Sequence, residues 1–248
     1  MGQELVLAGV SGLVALAGVL LSARTARRQS VLTARMEDER ARRARSEERS
    51  DLMALHRDPL LWAAFELQSR LYNMVVQEFG PYTDRTREYA LRSTLFVFAQ
   101  YFCCVEMLRR RIQFLDLGDR ADNRRIMQLI SRIDGLVGAY DVEDARQLVV
   151  FRHEQRGIGE VMVVEDGGDG GGQRCMGYAE FSSRLGDPEF ARWMRPLADY
   201  WALWADGTAA RDKLVALQHH LMDLIDFLDP GIDRFPDARR SRVPSPEG

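Results

Sequence analysis

The sequence predicts an all-α protein: an N-terminal transmembrane helix continuing into a stalk, then an antiparallel bundle of about five to six helices. Three observations predict it. An uncharged run of 17 residues, Leu5 to Leu21, lies near the N-terminus. A charge-rich stretch follows it. Beyond residue 58, apolar residues recur three and four apart in successive segments, separated by Gly-Pro, Asp-Pro and Pro-Gly breaks. The implied divisions are an anchor over 1–23, a helical stalk over 24–57, a helical cytoplasmic domain over 58–229 and a disordered tail over 230–248.

The anchor, extended to Ser22, just reaches the length that crosses hydrocarbon. A cleaved signal peptide is the competing reading. It would carry a positive n-region, whereas this one is MGQE, with Glu4 and no Lys or Arg. Leu21-Ser22-Ala23 also lacks the small residue that cleavage needs at the −3 position. The basic residues Arg24, Arg27, Arg28 and Arg35 follow the run, which places the N-terminus outside and the rest inside a bacterial inner membrane. The bilayer is then a partner through residues 5–22. Ala8 with Gly12, Ser11 with Ala15 and Gly18 with Ser22 give a small-residue spacing that would let two such helices pair.

In the stalk, Asp38 with Arg42 and Glu39 with Arg43 are acid-before-base pairs at helical spacing. No heptad of large apolar residues persists, so a solvated helix of roughly 50 Å is expected rather than a coiled coil.

The first domain helix starts at Asp58-Pro59 and carries Trp62, Phe65, Tyr72, Val75, Val76 and Phe79 to a Gly80-Pro81 stop. Thr83 or Asp84 can cap the next, over 84–116, whose run from Leu95 to Val105 is broken only by Gln100. At about 11 residues that run is too short for a second span and reads as a central buried helix. Glu106 lies among apolar neighbours, and Arg109 and Arg110 are its local partners for a structural ion pair. Residues 121–140 are amphipathic through Ile126, Ile130, Ile133 and Val137. Two later stripes follow: Phe190 to Trp204, entered at Asp187-Pro188, and Leu214 to Leu228, closed by Pro230-Gly231.

The stretch 142–181 is ambiguous. A helix from Ala145 to about Val163 is favoured, capped within Asp141–Asp144. The alternative is a short strand at Val161–Val164 pairing with Met176–Phe181. The Gly-rich segment between them lacks Gly-Lys-Ser/Thr and contains Asp166 and Asp169, so it is a linker and not a phosphate loop.

Composition excludes more than it assigns. A net charge of −3 gives no case for nucleic acid. There are 33 arginines to one lysine, Lys213, which reads as coding bias before phosphate recognition. Cys103, Cys104 and Cys175 form no CxxC or zinc pattern, and suggest reduced thiols. No nucleophile elbow, zinc helix, dinucleotide fingerprint or kinase signature occurs, and no cofactor or metal is called for. The densest polar cluster is FRHEQRGIGEVM, residues 151–162. On a helix, His153, Arg156 and Glu160 share a face, with Glu154 beside them. Such a set can contact a ligand or partner, as a general base with an anion-binding arginine, or form a hydrogen-bonded seam between helices.

Three segments, QYFCCVEMLRRRIQFLDLG (100–118), FRHEQRGIGEVM (151–162) and CMGY (175–178), resemble uncharacterised bacterial proteins with one N-terminal membrane helix and a helical cytoplasmic domain. The resemblance spans about residues 60–200. It implies the architecture and no activity, so it brings no catalytic residues. The expectation is a membrane-tethered interaction or regulatory protein with a protein partner or a homodimer, more a binder than an enzyme. The alternative is a small-ligand-binding or hydrolytic domain using the polar face at 153–160.

Overall fold

The computed structural model describes residues 36–41, 57–77, 84–114, 120–165, 172–235 and 240–244. The chain divides into two compact units, Met1–Asp51 and Leu52–Gly248. In the first, residues 36–41 are helical, as the acid–base spacing predicts. The anchor run 5–22, the rest of the stalk, the Gly80-Pro81 stop and the Gly-rich loop at 166–171 lie outside the described residues.

The second unit is mostly helical. Its elements are α1 (57–75), α2 (Asp84–Phe114), α3 (Arg120–Gly138), α4 (Arg152–Val161), β1 (Val163–Glu165), β2 (Gln173–Cys175), α5 (Tyr178–Arg184), α6 (Pro188–Ala205) and α7 (Asp212–Leu228). Pro59 sits in the first turn of α1, where its missing N–H costs nothing. Asp187 caps α6 by accepting from the Glu189 N–H at 3.0 Å, with Pro188 in the first turn.

Helix α2 is the centre. Among the described residues it contains the one helix long and apolar enough to cross a membrane, Thr86–Arg110. The protein itself covers that stretch: 72% of its most apolar window is buried. Packed around it, the expected stripes close one core, with Ile130 and Ile133 from α3, Tyr200 and Trp201 from α6, and Leu217 and Leu221 from α7.

The ambiguous stretch resolves differently from the favoured reading. No helix starts at Ala145. Asp141 and Asp144 accept from the N–H groups two residues on, Glu143 at 2.9 Å and Arg146 at 3.1 Å, and so close two tight turns instead of capping a helix. Leu148 and Val150 are buried with Val149 half-buried between them, a period-two pattern that suits extended chain. Helix α4 starts only at Arg152. The β-branched pair Val163-Val164 then forms β1, antiparallel to β2 with Val163 opposite Cys175 and Glu165 opposite Gln173. The alternative strand reading finds its hairpin, but the partner is 173–175, and Tyr178 onward is helix.

Two further departures concern polar anchors. Lys213, the sole lysine, is buried, and its ammonium donates to the Ala139 carbonyl at 2.6 Å and the Leu148 carbonyl at 2.8 Å. It ties the extended loop to α7. The segment from 230 onward, expected to be disordered, is docked where it is described. Phe235 stacks on Phe65 with centroids 3.7 Å apart, and Val243 is buried. Asp229 is the clasp: it accepts from the N–H groups of Asp233, Arg234 and Phe235 and from the Arg240 guanidinium. Burial would raise its pKa, but these donors outweigh it and hold the carboxyl below the ordinary range. Proline content hid this, because the tail's few anchors are single residues without periodicity.

Helix α4 packs closely on its neighbours, and two glycines permit it. A Cβ on Gly159 would lie 2.6 Å from the Phe102 carbonyl oxygen and 3.0 Å from Glu106 Cβ. A Cβ on Gly157 would run into the Trp193 ring. The α2 backbone cannot yield to the first as a flexible side chain could. Gly159→Ala is therefore expected to cost about 1–3 kcal/mol by overpacking, despite a helix-propensity gain of about 1 kcal/mol. Gly135→Ala, whose Cβ meets only the Arg152 guanidinium at 3.7 Å, should be neutral or stabilising. Chemical denaturation of both variants checks the contrast.

Candidate functional site

Beside the Gly159 contact, α4 forms a cleft with α2 and α3. The cleft encloses about 580 Å³. Helix α2 supplies Glu106, Arg109 and Arg110. Helix α3 supplies Ile130, Ser131 and Asp134. Helix α4 supplies Arg152, His153, Gln155, Arg156 and Glu160.

Charge is layered in it. Glu106 and Asp134 are buried at 2% and 4% exposure, whereas Arg152, His153, Arg156 and Glu160 are exposed. Each buried carboxylate is met by arginine. Glu106 Oε1 accepts from Arg110 Nε at 3.1 Å, one helical turn away. Glu106 Oε2 faces Arg156 Nε at 3.5 Å across the helix contact. Arg109, expected beside Glu106, goes instead to Asp134 on α3. Both arginines are within a turn of Glu106, and Arg109 is the one taken by the buried Asp134 carboxylate. Glu160 lies 3.9 Å from Arg110.

Gln155 fixes the depth of α4. Its buried amide nitrogen donates to the Asp134 carbonyl at 3.0 Å and to the Val150 carbonyl at 2.7 Å. Glu154 turns away from the cleft. It accepts from the Phe151 N–H at 2.8 Å and closes the first turn of α4, where Phe151 has no side-chain oxygen to do so. Of the four residues singled out on α4, His153, Arg156 and Glu160 line the cleft and Glu154 is a capping residue. The sequence pattern missed Asp134, Arg152 and Gln155. Arg152 and Gln155 are within the same motif and were one step from being found; Asp134 sits on another helix with no local signal.

Three acceptor oxygens on the lining residues have no hydrogen-bond partner: Glu106 Oε2, Asp134 Oδ1 and Gln155 Oε1. The Asp134 pKa is raised: burial dominates, and the opposing charges of Arg109 and Arg152 do not offset it. The Tyr101 hydroxyl, fully buried and also without a partner, is pushed up by burial and then by the Asp134 charge.

Two other features gather polar or reactive side chains. A second cleft of about 490 Å³ is walled by Phe65, Tyr89, Phe96 and Tyr178, with Glu66 and Arg70 at its edge. Arg70 there donates to Ser93 Oγ at 2.9 Å, and no unpartnered buried acceptor lies on it. The three cysteines also converge: the Cys175 thiol lies against those of Cys103 and Cys104, and all three are free. The contact with Cys175 and burial raise the Cys104 pKa well above the ordinary thiol range, which makes it a poor nucleophile. Among the described residues no group of three His, Cys, Asp or Glu could hold a metal ion.

Compared with protein-family models, curated proteins and solved structures, the chain matches none.

The raised Asp134 pKa has a signed consequence. The unfolded chain releases this proton near 3.8, whereas the native state keeps it to higher pH. Native Asp134 therefore costs stability as pH rises through and beyond that window. Asp134→Asn removes the cost. The melting temperature of the variant, relative to wild type, should increase from below pH 3.8 to neutrality; a difference that stays flat or falls would contradict the assignment.

Proposed function

We propose that the chain is a membrane-tethered helical domain that binds a small polar ligand in the α2–α3–α4 cleft and acts as an interaction or regulatory protein, not a catalyst. The observation that carries this reading is the layered cleft: exposed Arg152, His153 and Arg156 above buried Glu106 and Asp134. The buried carboxylates of Asp134 and Glu106 hold the guanidinium groups of Arg109 and Arg110 in place, which lowers the ordering cost of binding. Ser131 and Glu160 line the cleft with His153, yet among the described residues no hydrogen bond joins either to its imidazole, so hydrolysis has less support than binding.

The tether rests on the uncharged run at 5–22 and the arginines that follow it, with the N-terminus outside and the domain cytoplasmic. The buried setting of Thr86–Arg110 supports assigning membrane attachment to the N-terminal run rather than to α2.

Two measurements test the two halves. Full-length protein is expected to stay with the membrane fraction after a carbonate wash, and a chain lacking residues 1–23 to leave it. Retention of the truncated chain would assign the span to α2 and end the tether reading. For the cleft, native mass spectrometry of the detergent-solubilised full-length protein should show a small molecule carried by wild type and lost from Arg152→Ala/Arg156→Ala. Wild type that carries nothing and is unmoved in melting temperature by a polar-metabolite library would sink it.

A further inference from the structure

We infer that the ligand of this cleft is a compact zwitterion, its carboxylate or phosphate held by Arg152 and Arg156 and its ammonium received by Glu106, Asp134 and Gln155. The inference rests on the binding reading above and adds the chemical class.

The anion half follows from the rim. Arg156 touches Glu106 only through one 3.5 Å ion pair, which leaves most of its donor fork unused. Arg152 lies within electrostatic reach of Asp134 and beside it at the mouth. Arginines placed side by side with unused forks suit carboxylate and phosphate oxygens.

The ammonium half follows from the floor. Glu106, Asp134 and Gln155 are each more than nine-tenths buried, line the same cleft, and each keeps one oxygen without a donor. Three acceptors match the three donors of a primary ammonium, a group with no acceptor of its own. A simple anion would leave them unpaired, and water brings only two donors. Two of the three acceptors belong to acids, so a positive charge also offsets their burial.

The two halves are coupled. The floor oxygens are closed off from bulk water, with Arg156 over Glu106. An anion that draws Arg156 outward uncovers Glu106 Oε2 for the ammonium behind it. Neither half alone obtains this.

The test is isothermal titration of the full-length protein in detergent with two matched series. The first is γ-aminobutyrate, butyrate and butylamine. The second is 3-aminopropylphosphonate, propylphosphonate and propylamine. In at least one series the zwitterion is expected to bind ten-fold or more tighter than either half. Arg156→Ala, an exposed site, should abolish that advantage. Asp134→Asn and Glu106→Gln, isosteric changes, should bring the zwitterion's affinity down to that of the anion alone. If the anion binds as tightly as the zwitterion, the floor oxygens are satisfied by water; the class is then overturned while the cleft remains a binding site. If the amine alone binds as tightly, the class fails in the other direction. If no probe of either series binds, the zwitterion is overturned, and the native mass spectra decide separately whether the cleft holds anything.

Discussion

Glu106 imposes the condition that most of this domain answers to. It sits at 2% exposure on the one described helix apolar enough to cross a membrane. A carboxylate in that position is costly unless positive groups come to it. Its own helix supplies one, Arg110, at i+4. The second, Arg156, must come from α4, and it can reach only because Gly159 lets α4 lie against the α2 backbone at Phe102 and Glu106. The charge and the glycine are therefore one device. Without the glycine the helices separate and Glu106 loses half its compensation. Without Glu106 the close approach would bring arginine against an apolar helix.

The far side of α4 is set by backbone carbonyls rather than by charge. The loop 139–151 turns twice and then runs extended through buried Leu148 and Val150, so the carbonyls there need donors. Gln155 reaches Val150 and also Asp134, at the end of α3. Lys213 reaches Ala139 and Leu148 from α7. Two long polar side chains thus do for this loop what a sheet would do elsewhere. The cleft inherits its rigidity from them, because Gln155 is at once a loop staple and part of the floor.

What the sequence made legible follows from period. The stripes of α3, α6 and α7, the Asp187-Pro188 entry and the shared face of His153, Arg156 and Glu160 are all local patterns, and each has its place in the structure. What it hid is long-range or single-residue. Asp134 is 25 residues from its partner Arg109. Gly157 and Gly159 carry no periodic signal, and their use is to admit Trp193 and the α2 backbone. The docked segment after 230 hangs on Asp229, Phe235 and Val243, too sparse for any periodicity to reveal. Asp141 and Asp144 carried a true capping signal, but the cap closes turns, because buried Leu148 and Val150 favour extended chain at that point.

A buried acceptor without a donor costs about 1–3 kcal/mol. Eight buried side-chain atoms in the described residues lack a partner, and three of them sit on the lining of one cleft. Scattered through the core, such atoms would be a general tax on stability. Gathered around one cavity beneath arginines, they place the cost where an entering molecule can remove it. On the proposed reading, a ligand bound there would stabilise the fold by the ordinary mass-action relation.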